Sequence, residues 1–362
     1  MSDFKVDRLK RMEQAMLTCT MCGFCKSVCP SYKESGWDTS AARGRVILSY
    51  GLTQGDLEPD EEVMEALYTC TTCMDCYRRC PSKVDVVGIV EDARKDMVAA
   101  GNMLSKHEEI VSKVKELGNP YGEERSVPES LGEEVRPAPL AYFAGCTATY
   151  RSESISKAAL SIFKKLGEDF TVLDEVCCGS VMGRVGCPDE DITPLMQRNI
   201  DNISSLGVET LVLSCAGCYR MFKEDYPKHV KVPFRVLHFT EWLVGRKPVL
   251  RPLEKRIAYH DPCHLGRHAG VYDAPRQLIG SIPGATLVEM TNNREQSRCC
   301  GGGGGVRSAY PEVARSIASA RLDEMEADIL VTACPFCVTN LKAATGENMN
   351  IMDITELVDC LL

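Results

Sequence analysis

Two stretches of this chain carry the same cysteine spacing, residue for residue. Cys19 to Pro30 reads CTMCGFCKSVCP and Cys70 to Pro81 reads CTTCMDCYRRCP, each of the form C-x2-C-x2-C-x3-C-P. Two-residue gaps let a tight loop aim three thiolates at one face of a four-iron, four-sulfide cube while backbone N–H groups stay free to bond its sulfides. The fourth cysteine, followed by proline, is carried off by the chain to the other cube. The pattern therefore assigns Cys19, Cys22, Cys25 and Cys80 to one cubane, and Cys70, Cys73, Cys76 and Cys29 to a second. Tetrahedral zinc also accepts four thiolates at such gaps. Two copies, each closing on Cys-Pro, count against it.

Composition narrows the setting. The chain has 362 residues, 20 of them cysteine, with 44% hydrophobic residues and a formal net charge of −9. That length allows two or three domains with real cores, and the apolar content excludes intrinsic disorder. No run approaches 18 apolar residues, the length at which a membrane span is expected. The opening MSDFKVDRLKRMEQAM reads as a charged amphipathic helix, not as a signal peptide. Clustered cysteines without an export signal point to metal ligands in a reducing, cytoplasmic compartment. The acidic balance and scattered basic residues argue against nucleic acid as a partner.

Between and after the two loops, RGRVILSYGL (43–52), EEVMEALYTC (61–70) and VVGIVEDARKDMVAAGNML (86–104) place apolar residues at three- and four-residue intervals, the period of helices. Residues 1–117 are thus expected to form an α-helical ferredoxin domain with two [4Fe-4S] clusters, whose folding depends on its metal. GNPYGEERSVPESLGEEVRPAP (118–139) has four Pro, three Gly and seven charged residues; it reads as an exposed linker.

Beyond it the chain repeats. LAYFAGC (140–146) parallels RIAYHDPC (256–263), EVCCG (175–179) parallels SRCCG (297–301), TLVLSCAGC (210–218) parallels DILVTACPFC (328–337), and LHFTEWL (237–243) parallels IMDITEL (351–357). Corresponding cysteines lie 117, 122 and 119 residues apart (146 to 263, 177 to 299, 215 to 334), which marks a duplicated domain spanning 140–250 and 251–362. Strands alternating with helical stretches such as ESISKAALSIFKKLG, MQRNIDNISSLG and ARSIASARLDEME predict parallel-stranded α/β units. The fold class expected is therefore multidomain, a mixture of α+β and α/β: a helical ferredoxin domain plus two duplicated α/β domains with parallel strands. Such sheets bind ligands at the carboxyl ends of their strands, where Cys146, Cys215, Cys263 and Cys334 fall.

Each half carries five cysteines in one pattern: Cys146, Cys177, Cys178, Cys215 and Cys218, then Cys263, Cys299, Cys300, Cys334 and Cys337. Five thiolates exceed the needs of one tetrahedral zinc, and adjacent cysteines diverge. A larger, irregular cluster with several irons meets both constraints. Gly179 and the run Gly301 to Gly305 let backbone N–H groups approach without a Cβ in the way. As a phosphate loop, the run lacks a following Gly-Lys-Ser/Thr.

These motifs resemble the family in which two CCG domains follow a two-cluster ferredoxin module, whose members include the D-type subunit of the CoB–CoM heterodisulfide reductase and the iron–sulfur subunits of glycolate and lactate oxidases. ARGRVILSYGL, CCGGGGGVRS and ACPFC are most similar to the heterodisulfide reductase side; ARGR is shared with the oxidase side. The resemblance implies a noncubane [4Fe-4S] cluster in each CCG half, the two facing a common substrate cavity. It further implies an oxidoreductase of methanogenesis that acts within a complex. A chain of this kind carries electrons through two cubanes to reduce a small disulfide, with a cytochrome b-like membrane protein as donor and peripheral attachment to the inner membrane face. The alternative is an electron-transfer component of a 2-hydroxyacid oxidase with a flavoprotein partner. No G-x-G-x-x-G follows a strand, so a flavin or nicotinamide held in that manner is not expected on this chain.

Catalytic candidates are His264 and Arg267. His264, beside Cys263, has an unperturbed pKa near neutrality and suits proton donation to a leaving thiolate; the competing role is a hydrogen bond that orients the metal site, open also to His260 and His268. Arg184, Arg267 and Arg307 suit an anionic substrate, against a solvated surface as the default. Cys187 is assigned a structural role with cavity-facing as its alternative, and Cys360 that of a buried small hydrophobe.

Overall fold

A computed structural model describes residues 4–345 and 349–362. The chain forms two compact units that do not follow chain order: one comprises Met1–Val111, Val181–Ile192 and Arg298–Arg321, the other Ser112–Ser180, Thr193–Ser297 and Leu322–Leu362. Short pieces of both repeated halves therefore group with the ferredoxin segment.

The first unit is helical. Helices Ala42–Gln54, Glu61–Tyr68 and Val86–Ala99 bury one stripe each, with Val46, Leu52, Val63, Leu67, Ile89, Val90, Ala93 and Met97 in a shared core. Each large apolar side chain so buried contributes about 1.5–3 kcal/mol. Asp60 and Asp85 cap the second and third helices by accepting from Val63 N and Gly88 N at 2.9 and 3.0 Å, as N-cap carboxylates do. The opening segment, whose first three residues lie outside the described ones, is less helical than its periodicity suggests: a 3-10 turn spans Leu9–Met12 and an α-helix only Glu13–Leu17. Its start is set by Asp96, whose carboxylate accepts from the backbone N–H groups of Asp7, Arg8 and Leu9 at 2.8–3.1 Å.

The second unit holds two four-stranded parallel sheets of identical topology. Strands β1 (Leu140–Phe143), β2 (Phe170–Val172), β3 (Thr210–Leu213) and β4 (Arg235–His238) lie in the order β2-β1-β3-β4; strands β5 (Arg256–His260), β6 (Thr286–Val288), β7 (Ile329–Thr332) and β8 (Ile351–Asp353) lie in the order β6-β5-β7-β8. Central strands β1, β3 and β7 are near-continuous apolar runs, as sheets covered on both faces require. In each sheet the chain leaves the two central strands in opposite directions, so a crevice opens between them at their carboxyl ends.

The halves pack reciprocally. Helix Glu153–Lys165, which follows β1, lies against the terminal helix Ile354–Leu361, and helix Asp273–Gly280, which follows β5, lies against Phe239–Arg246. Equivalent elements thus exchange equivalent contacts, which is pseudo-two-fold symmetry. Both closing helices even begin with the same capping box, His238 with Glu241 and Asp353 with Glu356.

Two sequence expectations are corrected by the fold. The segment 118–139 is not a uniformly exposed connector: Ser126 and Glu129 close a capping box on helix Val127–Leu131, and Val127, Leu131 and Ala138 are buried. Cys360 is exposed; the buried face of the last helix is Ile354, Leu357, Val358 and Leu361, and Cys360 lies off it.

Candidate metal centres

The two ferredoxin loops adopt one strained backbone. Met21 and Thr72, at equivalent positions, have φ of 55° and 52°, and Gly23 and Met74 have φ of 80° and 66°. Left-handed geometry at a residue with a Cβ costs on the order of 1–3 kcal/mol and marks ligand clamps. Cys29, Cys70, Cys73 and Cys76 line one cavity together with Ala42, Arg45, Val86 and Val87. These are the four thiols expected to share a cube, one from the first motif and three from the second. Cys19 and Cys25 lie within electrostatic reach of each other, Cys22 is exposed at the rim, and helix Asp75–Arg79, which ends at Cys80, packs on the turn Phe24–Ser27.

Buried arginines surround the inner cavity. Arg45, 1% exposed, donates from Nε to Ala66 O at 2.7 Å, from Nη2 to Thr69 Oγ1 at 3.1 Å and from Nη1 to Cys29 Sγ at 3.6 Å. Burial pulls its guanidinium down, but the Cys70 and Cys29 thiols outweigh that and raise it. Arg94 donates to four carbonyls, Leu67, Cys70, Arg184 and Gly304, at 2.6–2.9 Å, and lies 4.9 Å from the Tyr68 ring centroid. It ties the second loop to the glycine run of the last CCG motif. That run presses on the loop: a Cβ on Gly303 would meet Thr71 O at 2.7 Å, and one on Gly304 would meet Cys70 O at 2.3 Å. His107 Nε2 lies 3.0 Å from Gly305 O, and burial lowers its pKa to about 4.

In the second unit the first-half cysteines fall at the crevice between β1 and β3. Glu175 accepts from Ala144 N and Gly145 N at 3.0 and 2.6 Å, shaping the turn that delivers Cys146. The thiols form a row of close neighbours that influence one another's protonation: Cys146 with Cys177, Cys177 with Cys178, Cys178 with Cys218, Cys218 with Cys215. It continues from Cys215 to Cys334 and on to Cys337. Cys215 and Cys334 are equivalent residues of the two halves, so the pseudo-axis passes between them. The neighbouring Cys177 and Cys218 side chains hold the Cys178 thiol below its ordinary value. After each vicinal pair a glycine with φ of 87° turns its N–H onto the first sulfur, Gly179 to Cys177 at 3.4 Å and Gly301 to Cys299 at 3.3 Å.

Comparison with known proteins agrees with this geometry. Residues 140–223 and 257–342 match the family described as a cysteine-rich domain, CCG, and residues 15–84 match a 4Fe-4S dicluster domain. The D-type subunit of the dihydromethanophenazine:CoB–CoM heterodisulfide reductase of Methanosarcina barkeri is 35% identical, over 94% of this chain and 92% of its own length. The chain belongs to this D-type family of heterodisulfide reductase subunits. One subunit of the fumarate reductase (CoM/CoB) of Methanothermobacter marburgensis is 33% identical over 94% of this chain and 71% of its own. A hypothetical protein from Helicobacter pylori, 10% identical, shares the fold with a TM-score of 0.61 over 97% of this chain and 71% of its own.

As a member of the heterodisulfide reductase D-type family, the chain is an iron–sulfur electron-transfer subunit with several [4Fe-4S] clusters. Its thiol sets fit them: the donors are all sulfur, and the loops hold left-handed turns of the kind that clamp a bound group. No helix among the described residues is long and apolar enough to cross a membrane.

Of the catalytic candidates, His264 sits over Gly217, between Cys215 and Cys218, with Nδ1 3.8 Å from where a Cβ on Gly217 would stand. Its Nε2 lies 3.5 Å from Arg220 Nη1 and its ring 4.8 Å from that of His268. Arg267 instead donates Nη1 to the backbone carbonyls of Ser297 and Glu295, holding the strand of chain that leads to the second vicinal pair. Arg184 is paired with Glu91 at 2.8 Å and buried, which removes it from the substrate candidates. Cys187 is buried, its backbone bonded to Met182 O. Arg45, Arg94, Arg220 and His107 escape a reading of the sequence. Two of them leave a trace there: Arg45 as the second arginine of ARGR, though without its role, and Arg94 as an arginine inside the apolar stripe of Val90, Ala93 and Met97.

Proposed function

We propose that this chain is the disulfide-reducing subunit of a heterodisulfide reductase-like complex. Cys19, Cys22, Cys25 and Cys80 would hold an outer cubane; Cys29, Cys70, Cys73 and Cys76 an inner one. Cys146, Cys177, Cys178, Cys215 and Cys218, and Cys263, Cys299, Cys300, Cys334 and Cys337, would each hold a noncubane [4Fe-4S] cluster. When bound, these groups supply one-electron transfer and iron sites that take up sulfur.

The protein's own residues do the rest. Arg94 and the Gly303–Gly304 backbone bring the second ferredoxin loop against the chain that follows Cys300, the segment through which electrons would leave that loop. Reduction of R–S–S–R′ to two thiols consumes two electrons and two protons, and the electrons arrive singly. His264 delivers a proton to a departing sulfur at the crevice, and Arg220, itself buried and paired with Asp225 at 3.7 Å, stands beside the His264 ring and orients it. The redox partner that supplies the electrons is a separate cytochrome b-like membrane protein, which would bring this chain to the membrane surface.

One observation supports the reading: equivalent thiols of the two halves, Cys215 and Cys334, interact directly near the pseudo-axis, which brings the two cysteine sets next to one another as a two-sulfur substrate requires. Anaerobic EPR of the reduced protein and of the oxidised, thiol-treated protein, with iron and zinc assays, tests it. A thiol-dependent paramagnetic species with about sixteen irons per chain, four per cluster site, is expected. Cubane signals alone would favour a relay component of a 2-hydroxyacid oxidase served by a flavoprotein, a reading that draws support from the fumarate reductase relative, in which the same architecture serves another oxidoreductase. Mononuclear zinc would end both.

A further inference from the structure

The helix Ala42–Gln54 turns two arginines toward two different loops. Arg43 reaches the outer one, donating from Nη1 to Met21 O at 3.2 Å, but Asp38 pairs with it at 2.5 Å and it is partly exposed. Arg45, two residues on, points the opposite way into the inner cavity and touches Cys29 Sγ. Among the described residues no carboxylate pairs with it, and its remaining donors go to a carbonyl and a hydroxyl. Gly44 between them is obligatory, since a Cβ there would stand 1.9 Å from Asp38 O. The ARGR motif is therefore a device that gives each loop one cation, neutralised at the outer loop and uncompensated at the inner.

We infer that Arg45 sets the reduction potential of the cluster at Cys29, Cys70, Cys73 and Cys76, making it reducible in a site where burial alone would prevent it. The inference rests on the ligand assignment proposed above. One-electron uptake takes a four-thiolate cubane from a net charge of about −2 to about −3. In a dry cavity the extra charge is poorly solvated, so the reduced state is disfavoured. A guanidinium hydrogen-bonded to a ligating sulfur withdraws charge from it and stabilises the reduced state, the lever by which surrounding hydrogen bonds tune a metal centre. Arg45 is a positioning residue: it acts through Cys29 and takes no part in chemistry on the substrate.

The test is a potentiometric EPR titration of the full-length, iron-loaded chain, with iron counted in each sample. Arg45→Gln is expected to make one of the two cubanes at least tenfold harder to reduce, about a 59 mV fall for a one-electron couple, while the other keeps its potential. Arg45→Lys, which retains the charge, should recover most of the shift, and Arg43→Gln should leave the inner wave in place. Both cubanes unmoved in iron-replete Arg45→Gln would overturn the inference while leaving the ligand assignment standing. Should Arg45→Gln fail to hold iron, Thr69→Val decides instead: it frees one anchor of the guanidinium, a downward shift of the same potential equivalent to a severalfold loss in the reduction equilibrium supports the inference, and an unchanged potential overturns it. A wild-type chain without cubane signals would remove the ligand assignment, and the inference with it.

Discussion

The two ferredoxin loops share their spacing and their backbone geometry, yet one is open and the other sealed. Cys22 is exposed, with Met21, Phe24 and Trp37 also at the surface, Trp37 73% exposed; in the second loop Cys73 and Thr72 are buried and Asp75 is 3% exposed. Nothing within the twelve-residue motifs causes this. The second loop is covered by segments that arrive from far along the chain, Val181–Ile192 and Arg298–Arg321, and pinned by Arg45, Arg94 and His107. Ligand spacing specifies the turn that grips a cluster, whereas solvent access is set by whatever the rest of the fold lays over it. A loop at the surface suits electron exchange with a partner, and a sealed loop suits onward transfer.

The sharpest way to break the comparison is at the glycines. Gly304→Ala adds a Cβ 2.3 Å from Cys70 O at a φ of 65°, so strain and overpacking together should cost about 2–5 kcal/mol. Thermal unfolding together with an iron count should show the inner set emptied first.

Acid should lift the same cover. His107 is neutral in the folded protein, with its pKa lowered from 6.5 to about 4 by burial, against Gly305 O, which raises it; its Nδ1 is buried without a hydrogen-bond partner. Because the folded value lies below the unfolded one, the unfolded chain binds more protons in this window. The stability is thus fully present above about pH 6.5 and is lost as pH falls to about 4, about 3 kcal/mol in all. Denaturant midpoints measured across that range should fall with pH, and His107→Gln should flatten the slope.

A smaller effect separates the loops kinetically. A chelator under mild oxidation should strip the outer cluster at least tenfold faster than the inner, which corresponds to about 1.4 kcal/mol in local accessibility; EPR of the two cubanes over time reads this directly. Smallest of all is Gly23→Ala, the counterpart at the open loop. Its Cβ would meet only the movable end of Arg43 at 3.2 Å, so about 1 kcal/mol of backbone strain is expected, visible as a few degrees in Tm. Equal penalties at Gly23 and Gly304 would show that the covering segments do not seal the second loop.

How much of this is legible in the sequence follows from how local each feature is. Cys-x2-Cys gaps, the strand-then-cysteine pattern at 140–146 and 256–263, and the helical periods at 42–54 and 86–99 depend on neighbours a few residues away, and they can be read directly. The duplication is legible because both halves keep their landmarks. The pairing of Cys215 with Cys334 is not, since the docking of the two halves depends on contacts between distant helices, such as Thr355 Oγ1 donating to Ile155 O at 3.3 Å, that neither helix's own pattern records. Arg184 reads as a candidate for substrate binding because an arginine in a loop shows its charge but not its partner, and Glu91 lies 93 residues away. Arg267 misleads likewise: its donors go to carbonyls, which no side-chain pattern records.

The interleaved composition of the first unit bears on biosynthesis. Its final piece, Arg298–Arg321, leaves the ribosome roughly 10 to 40 s after residue 111 at ordinary elongation rates. Until then the thiols around Cys70 stand without that cover. A chain cut short between residue 111 and that segment would keep these thiols and lose their shelter.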